Sequence, residues 1–229
     1  MKKYFITSAG TDAGKTFVLT KFIEKLIANG KKVKAIKPII SGLDMDSYIS
    51  REKSDSASIL RSLNKEINKE NITDISKFIF KPALAPTAKE ITDKHGLINY
   101  KKLLDFCQDF LIEDSDYAFI EGAGGMFVPI NKNKLIIDLI EDLDIEVIII
   151  SNNYLGSISH NLSLLEMAKN RGLKVKKLIL NDIIGDRDFL LDNVKNIANF
   201  SQVKIEHISC QKDPNFESDI DSVLRTADF

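Results

Sequence analysis

Nine consecutive residues near the start of the chain constrain its fold more than any others: Ser8-Ala9-Gly10-Thr11-Asp12-Ala13-Gly14-Lys15-Thr16. The apolar run Tyr4-Phe5-Ile6 precedes them and the amphipathic segment Phe17-Val18-Leu19-Thr20-Lys21-Phe22-Ile23 follows. Strand, glycine loop and helix in that order form the context of a phosphate-binding loop. Backbone N–H groups of such a loop, with the first turn of the helix behind it, point at an anion. Lys15 is placed to reach the outer phosphates and Thr16 to ligate a magnesium ion. Asp12, Ala13, Gly14, Lys15, Thr16 and Phe17 are therefore read as the nucleotide contacts. The usual first glycine position is taken by Ala9, and the nearest glycine is Gly10. An ordinary glycine turn is the competing reading, and Gly-Lys-Thr between a strand and a helix weighs against it.

At 229 residues the chain has room for one α/β domain with a sizeable core. Its net charge of −1 gives no basic field to recruit nucleic acid or an anionic membrane, so neither is expected as a partner. Cys107 lies on a helical apolar stripe and Cys210 in a polar tail, without metal or disulfide spacing. That usage suits a reducing compartment. The apolar run after Met1-Lys2-Lys3 is too short for a signal peptide. No stretch reaches the ~20 apolar residues of a membrane helix, and a cytoplasmic protein is expected.

Short apolar runs at 3–8, 33–37, 76–80, 116–121, 146–151, 175–181 and 203–206 alternate with helical patterns at 15–29, 55–63, 100–112, 135–142, 158–171 and 187–198. The alternation predicts a mostly parallel sheet with helices on both faces. Polar segments 43–54 and 64–74 read as long loops. Residues 1–210 read as the α/β domain and 211–229 as an acidic tail, with a short helix near 217–226 or disorder as its alternatives.

In such sheets ligands bind beyond the carboxyl ends of the strands. The second strand ends at Lys37, followed by Pro38 and, at a turn, Gly42. A cation there can neutralise a transferring group or an anionic nucleophile, or it can be a solvated loop lysine. Another strand ends at Glu121 before Gly122-Ala123-Gly124-Gly125, the position of the second magnesium-binding acid in phosphate-loop enzymes. Asp55 is a third magnesium candidate or a helix N-cap. Asn181, ending a further strand, can read a base edge or simply start a turn. His160 falls in a helical pattern and reads as structural.

Taken together these segments resemble the dethiobiotin synthetase family. The carrying motifs are Gly10-Thr11-Asp12-Ala13-Gly14-Lys15-Thr16, Lys37-Pro38-Ile39-Ile40-Ser41-Gly42, Ser54-Asp55, Pro82-Ala83-Leu84-Ala85-Pro86, Glu121 to Gly125 with Val128-Pro129-Ile130, Leu155 to His160, and Asn181-Asp182. They run in family order over residues 4–182, about four fifths of the chain. The resemblance implies a phosphate-loop α/β fold and the ATP- and Mg²⁺-dependent conversion of 7,8-diaminopelargonic acid and CO2 to dethiobiotin. It also implies Thr16, Asp55 and Glu121 as metal ligands, and Lys15, Lys37, Thr11 and Ser41 as groups acting on carbamate, diamine or phosphate. Asn181 would contact the adenine. A homodimer is implied, in which residues 155–161 of one subunit, with Ser159 and Asn161 as polar contacts, and the glycine loop 122–126, with Gly122, Gly124 and Gly125, hold the carboxylate of the diamine bound to the other. Ser41 is a further substrate contact, and Ser157 reads from its position as the N-cap of the helix that begins there. Ser8, Asp12 and Thr87 depart from the family's common residues.

Two other classes share the loop. ParA/MinD-like partitioning ATPases carry a lysine early in it, and none occurs from Ser8 to Ala13. Cobyrinate-type ATP-dependent ligase domains are usually joined to a glutaminase domain with a nucleophilic cysteine, which these residues do not contain.

Overall fold

A computed structural model describes residues 1–225 of the chain. Six strands form the main sheet: β1 (Lys2–Ser8), β2 (Val33–Ile36), β5 (Tyr117–Glu121), β6 (Glu146–Asn152), β7 (Val175–Asn181) and β8 (Lys204–Ile208). Their order is β2-β5-β1-β6-β7-β8, and every pairing is parallel. Parallel strands buried on both faces need unbroken apolar runs. Tyr4, Phe5 and Ile6 of β1 and Val147 to Ile150 of β6 meet that need with no solvent exposure at all.

The connections are helical, and the helices pack around the sheet. α1 (Lys15–Ala28) follows β1, α6 (Tyr100–Ile112) precedes β5, and α7 (Ile136–Leu143) precedes β6. α8 (Ser157–Asn170) and α9 (Arg187–Phe200) flank β7. The run at 76–80 does not join the main sheet. Its core, β4 (Phe78–Phe80), pairs in parallel with β3 (Ile39–Ser41) in a separate two-stranded sheet. Lys37 and Pro38 thus span the break between two sheets.

The segments read as long loops contain short helices. α2 (Tyr48–Glu52) is capped by Ser47, and α4 (Lys69–Ile75) by Asn68, each accepting a backbone N–H three residues on. Helices of one to two turns are too short to show a 3.6-residue period, so their caps are their main local signal. α3 (Asp55–Ser62) lies between them, and α5 (Lys89–His95) follows β4.

Beyond β8, α10 (Phe216–Arg225) packs Phe216, Ile220 and Val223 into the core. Residues 226–229, which complete the segment read as an acidic tail, lie outside the described residues.

Candidate active site

Register places the reactive groups. Ile6 of β1 pairs with Glu121 at the carboxyl end of β5, so Glu121 lies beneath the loop that leaves β1 two residues later. Gly14 takes φ +82°, and a Cβ there would lie 2.2 Å from the Asn181 amide nitrogen. Only glycine lets the loop close over the end of β7. Asn181 is buried, and its amide donates to the Ala13 carbonyl at 3.3 Å. Gly125 also packs too closely for a side chain: a Cβ would sit 2.8 Å from the Ala9 carbonyl oxygen.

Lys15 is buried, and its ammonium donates to the Ser8 hydroxyl at 3.0 Å. Burial, with Lys37 nearby, lowers its pKa to about 8. Lys37 is buried beside it. Its ammonium contacts Glu121 Oε1 at 2.5 Å and Asp55 Oδ2 at 2.8 Å. Burial alone would lower the Lys37 pKa, but the two carboxylates outweigh it and hold it above the usual lysine value. Burial would likewise raise the Asp55 carboxyl, and Lys37 holds it below its ordinary value.

Thr16 donates to the same Glu121 Oε1 at 2.7 Å. The N-cap of α3 is Ser54, which accepts from Ala57 N–H at 3.1 Å, so Asp55 is released from capping and turns to Lys37. Glu121 is fully buried, and its Oε2 has no hydrogen-bond partner among the described residues. Thr16, Asp55 and Glu121 offer only oxygens, a donor set that suits Mg²⁺ with phosphate and water completing the shell. An orphaned buried carboxylate oxygen fits that role.

Two cavities meet at the loop. One of about 360 Å³ is lined by Thr11 to Phe17, Lys37, Asp55, Glu121 and Gly124. The other, about 380 Å³, extends from Thr11, Lys37, Ser41 and Asp55 to an apolar wall of Ile39, Ala83 to Pro86 and Val128. Of the residues read from sequence, Thr11, Asp12, Ala13, Gly14, Lys15, Thr16, Phe17, Lys37, Ser41, Asp55, Glu121 and Gly124 thus border one continuous site.

Three glycine and serine positions lie elsewhere. Gly122 packs against the Phe5 ring, where a Cβ would meet it at 2.9 Å, and Gly125 supports the loop backbone. Ser159 is exposed on α8. Ser157 does not cap that helix: Gly156 holds the cap position at φ +96°, and the buried Ser157 hydroxyl lies 3.5 Å from the Asn193 amide.

A third cavity, about 540 Å³, lies on the other side of the loop, lined by Phe127, Asn152, Tyr154, His160 and Met167 among others. The Tyr154 hydroxyl and His160 Nδ1 lie 2.6 Å apart. Of these residues the sequence pattern singles out His160 alone, as structural and as the end of the Leu155 to His160 motif. For the others the available signal is the strand-end position of Asn152, whose amide donates to Asp12 O at 2.9 Å.

The parallel sheet and the loop at the end of β1 define a P-loop NTPase-like α/β protein. A solved MinC:MinD cell division complex from Aquifex aeolicus shares that fold, at TM-score 0.54 and 19% identity, covering 100% of this chain and 90% of that one. An AAA domain family model matches residues 2–207. The chain is 33% identical over 189 residues to an ATP-dependent dethiobiotin synthetase BioD of Caulobacter vibrioides, covering 82% of this chain and 83% of the relative. It is 31% identical over 207 residues to the corresponding protein of Francisella tularensis subsp. holarctica, covering 89% and 90%. The chain belongs to the ATP-dependent dethiobiotin synthetase family, a family of ligases.

Proposed function

We propose that this protein is a dethiobiotin synthetase that converts 7,8-diaminopelargonic acid, CO2 and MgATP to dethiobiotin, ADP and phosphate. The observation that carries the reading is that two buried lysines, Lys15 and Lys37, line one cavity with the magnesium-type oxygens of Thr16, Asp55 and Glu121, beside an apolar-walled cavity. One amine of the diamine takes up CO2 and loses a proton, giving a carbamate. A carbamate oxygen attacks the γ-phosphorus, and ADP leaves. The second amine then attacks the carbamoyl carbon, loses a proton and expels phosphate, closing the ureido ring.

Two anions must approach each other for the first transfer, and cations are what that step requires. Lys15 holds the outer phosphates. Lys37 neutralises the carbamate and the transferring group. Thr16, Asp55 and Glu121 would hold Mg²⁺, which supplies further charge neutralisation on the phosphates when bound. Thr11 and Ser41 orient carbamate or diamine by hydrogen bonds, and Ile39, Ala83 to Pro86 and Val128 receive the alkyl chain. In this reading Asn181, at the end of β7 beneath the phosphate loop, contacts the adenine.

The same reading makes the enzyme a cytoplasmic homodimer. The N-terminus of α8 from one subunit, with residues 155–161, helps hold the carboxylate of the diamine bound to its partner. A partner chain would also screen the anhydride from water. The test is phosphate release measured with diamine and bicarbonate added singly and together, and the product weighed by mass spectrometry. Release that needs both, with a product of dethiobiotin mass, supports the reading. Full ATPase activity without the diamine overturns it.

A further inference from the structure

The Lys37 ammonium does not stand free beside the magnesium-type oxygens; it is bonded to them. It contacts Glu121 Oε1 at 2.5 Å and Asp55 Oδ2 at 2.8 Å, and Thr16 adds a hydrogen bond to the same Glu121 oxygen at 2.7 Å. Two of the three ligand groups are thus held by one lysine, in a pocket where Glu121 is fully buried. A metal ion on the free Glu121 Oε2 would still sit within a few ångströms of the Lys37 ammonium on Oε1, and like charges that close in a poorly solvated site repel strongly.

We infer that Lys37 and the divalent metal compete for Glu121 and Asp55, so that metal entry displaces the Lys37 ammonium from the carboxylates toward the reacting anion. Lys37 is then a positioning device as well as a charge. It keeps the two acids together and neutralised, and it is delivered to the substrate cavity only when the metal has arrived. Its place in the fold permits the movement. The side chain leaves the two-residue break between the main sheet and the small one, and both the phosphate-side and the substrate-side cavities reach it. The coupling would make phosphate neutralisation and carbamate neutralisation one event. This inference rests on the reading of Thr16, Asp55 and Glu121 as metal ligands.

Binding of Mn²⁺ to the full chain, followed by the EPR signal of the free ion, tests it without turnover. Lys37→Met should bind Mn²⁺ alone at least about tenfold more tightly than wild type, because a competing charge is gone. Lys37→Arg, which keeps the charge, should not. The gain should vanish in Lys37→Met combined with Glu121→Gln. A Lys37→Met protein that binds Mn²⁺ no better than wild type overturns the competition, while a Glu121-dependent Mn²⁺–ADP affinity in the wild type would leave the metal reading standing. If Glu121→Gln leaves the wild-type Mn²⁺–ADP affinity unchanged, the metal reading falls and takes this inference with it. A second measurement needs no variant. Reductive methylation of Lys37, read by mass spectrometry, should run several-fold faster with ADP and Mg²⁺ than with ADP and EDTA. Equal rates overturn the displacement.

Discussion

Lys15 and Lys37 are both buried, and burial pushes both pKa values down, yet that of Lys37 ends above the usual lysine value because only Lys37 has two carboxylates against it. Lys15→Ala and Lys37→Ala should each cost about 10²-fold or more in turnover, the scale of losing a preorganised charge-stabilising group. Lys37→Ala should also unfold more easily in the absence of metal, by about 3–5 kcal/mol, because it strands Glu121 as an unpaired buried charge. Chemical denaturation with and without Mg²⁺ separates that cost from the catalytic one. Lys15 makes a pH prediction. Its pKa near 8 means that it is largely neutral above that pH until a phosphate restores the charged form. Affinity for ADP should therefore be flat below pH 8 and fall above it, with proton uptake on binding near pH 8.5 by calorimetry. In Lys15→Met both effects should disappear; a wild-type affinity flat to pH 9.5 would refute the assignment.

Among the elements, α10, the last described helix, is tied to α1, the helix that follows the phosphate loop. Asp219, a buried residue of α10, accepts from the Ser209 backbone at 3.1 Å, the Ser209 hydroxyl at 2.6 Å and Arg187 at 3.1 Å. Lys177, buried within β7, donates to Glu206 at 2.7 Å and to the Val223 carbonyl at 2.6 Å. Phe216 meets Phe17, the residue after the Gly-Lys-Thr run, at 5.9 Å between ring centres. Lys25 of α1 pairs with Glu217 and Asp221 at 2.9 and 3.1 Å, but at the solvent edge. Denaturation should rank these contacts. Ile220→Ala should cost about 2–5 kcal/mol through its cavity. Asp219→Ala should cost about 1–3 kcal/mol through stranded donors, and Lys25→Ala within about 1 kcal/mol. A Lys25→Ala loss as large as that of Ile220→Ala would mean that charge, not burial, holds the helix.

For the whole molecule, the sheet separates a sealed interior from a reactive edge at the strand ends. Cys107 lies in the interior, its thiol pushed up to about 12 by burial, and Cys210 is half-buried beside Gly185. A disulfide reagent should titrate one thiol in the native protein and two in denaturant; two rapid native reactions would mean that the interior opens. The proposed dimer should sediment at twice the chain mass of 25.7 kDa. Ser159→Asp, at an exposed position in the first turn of α8, should raise the diamine KM far more than the ATP KM, and a fully active monomer would defeat the shared site.

The loop, the parallel sheet and most strand-end residues are legible from residue order, because a parallel strand advertises itself as an unbroken apolar run and the chemistry follows at its carboxyl end. Lys37, Glu121 and Asn181 could be found in that way without any coordinates. The tertiary structure alone decided which strand ends face each other, and hence that Thr16 and Lys37 gather on Glu121 across sequence separations of 105 and 84, with Asp55 held against Lys37. It also decided that 76–80 leaves the main sheet, that Gly122 packs on Phe5 while Gly124 borders the site, and that Gly156 rather than Ser157 caps α8. Each of these depends on contacts between residues far apart in the chain or on a backbone angle. A period of two or 3.6 residues records which face of an element is apolar, but not what lies against that face.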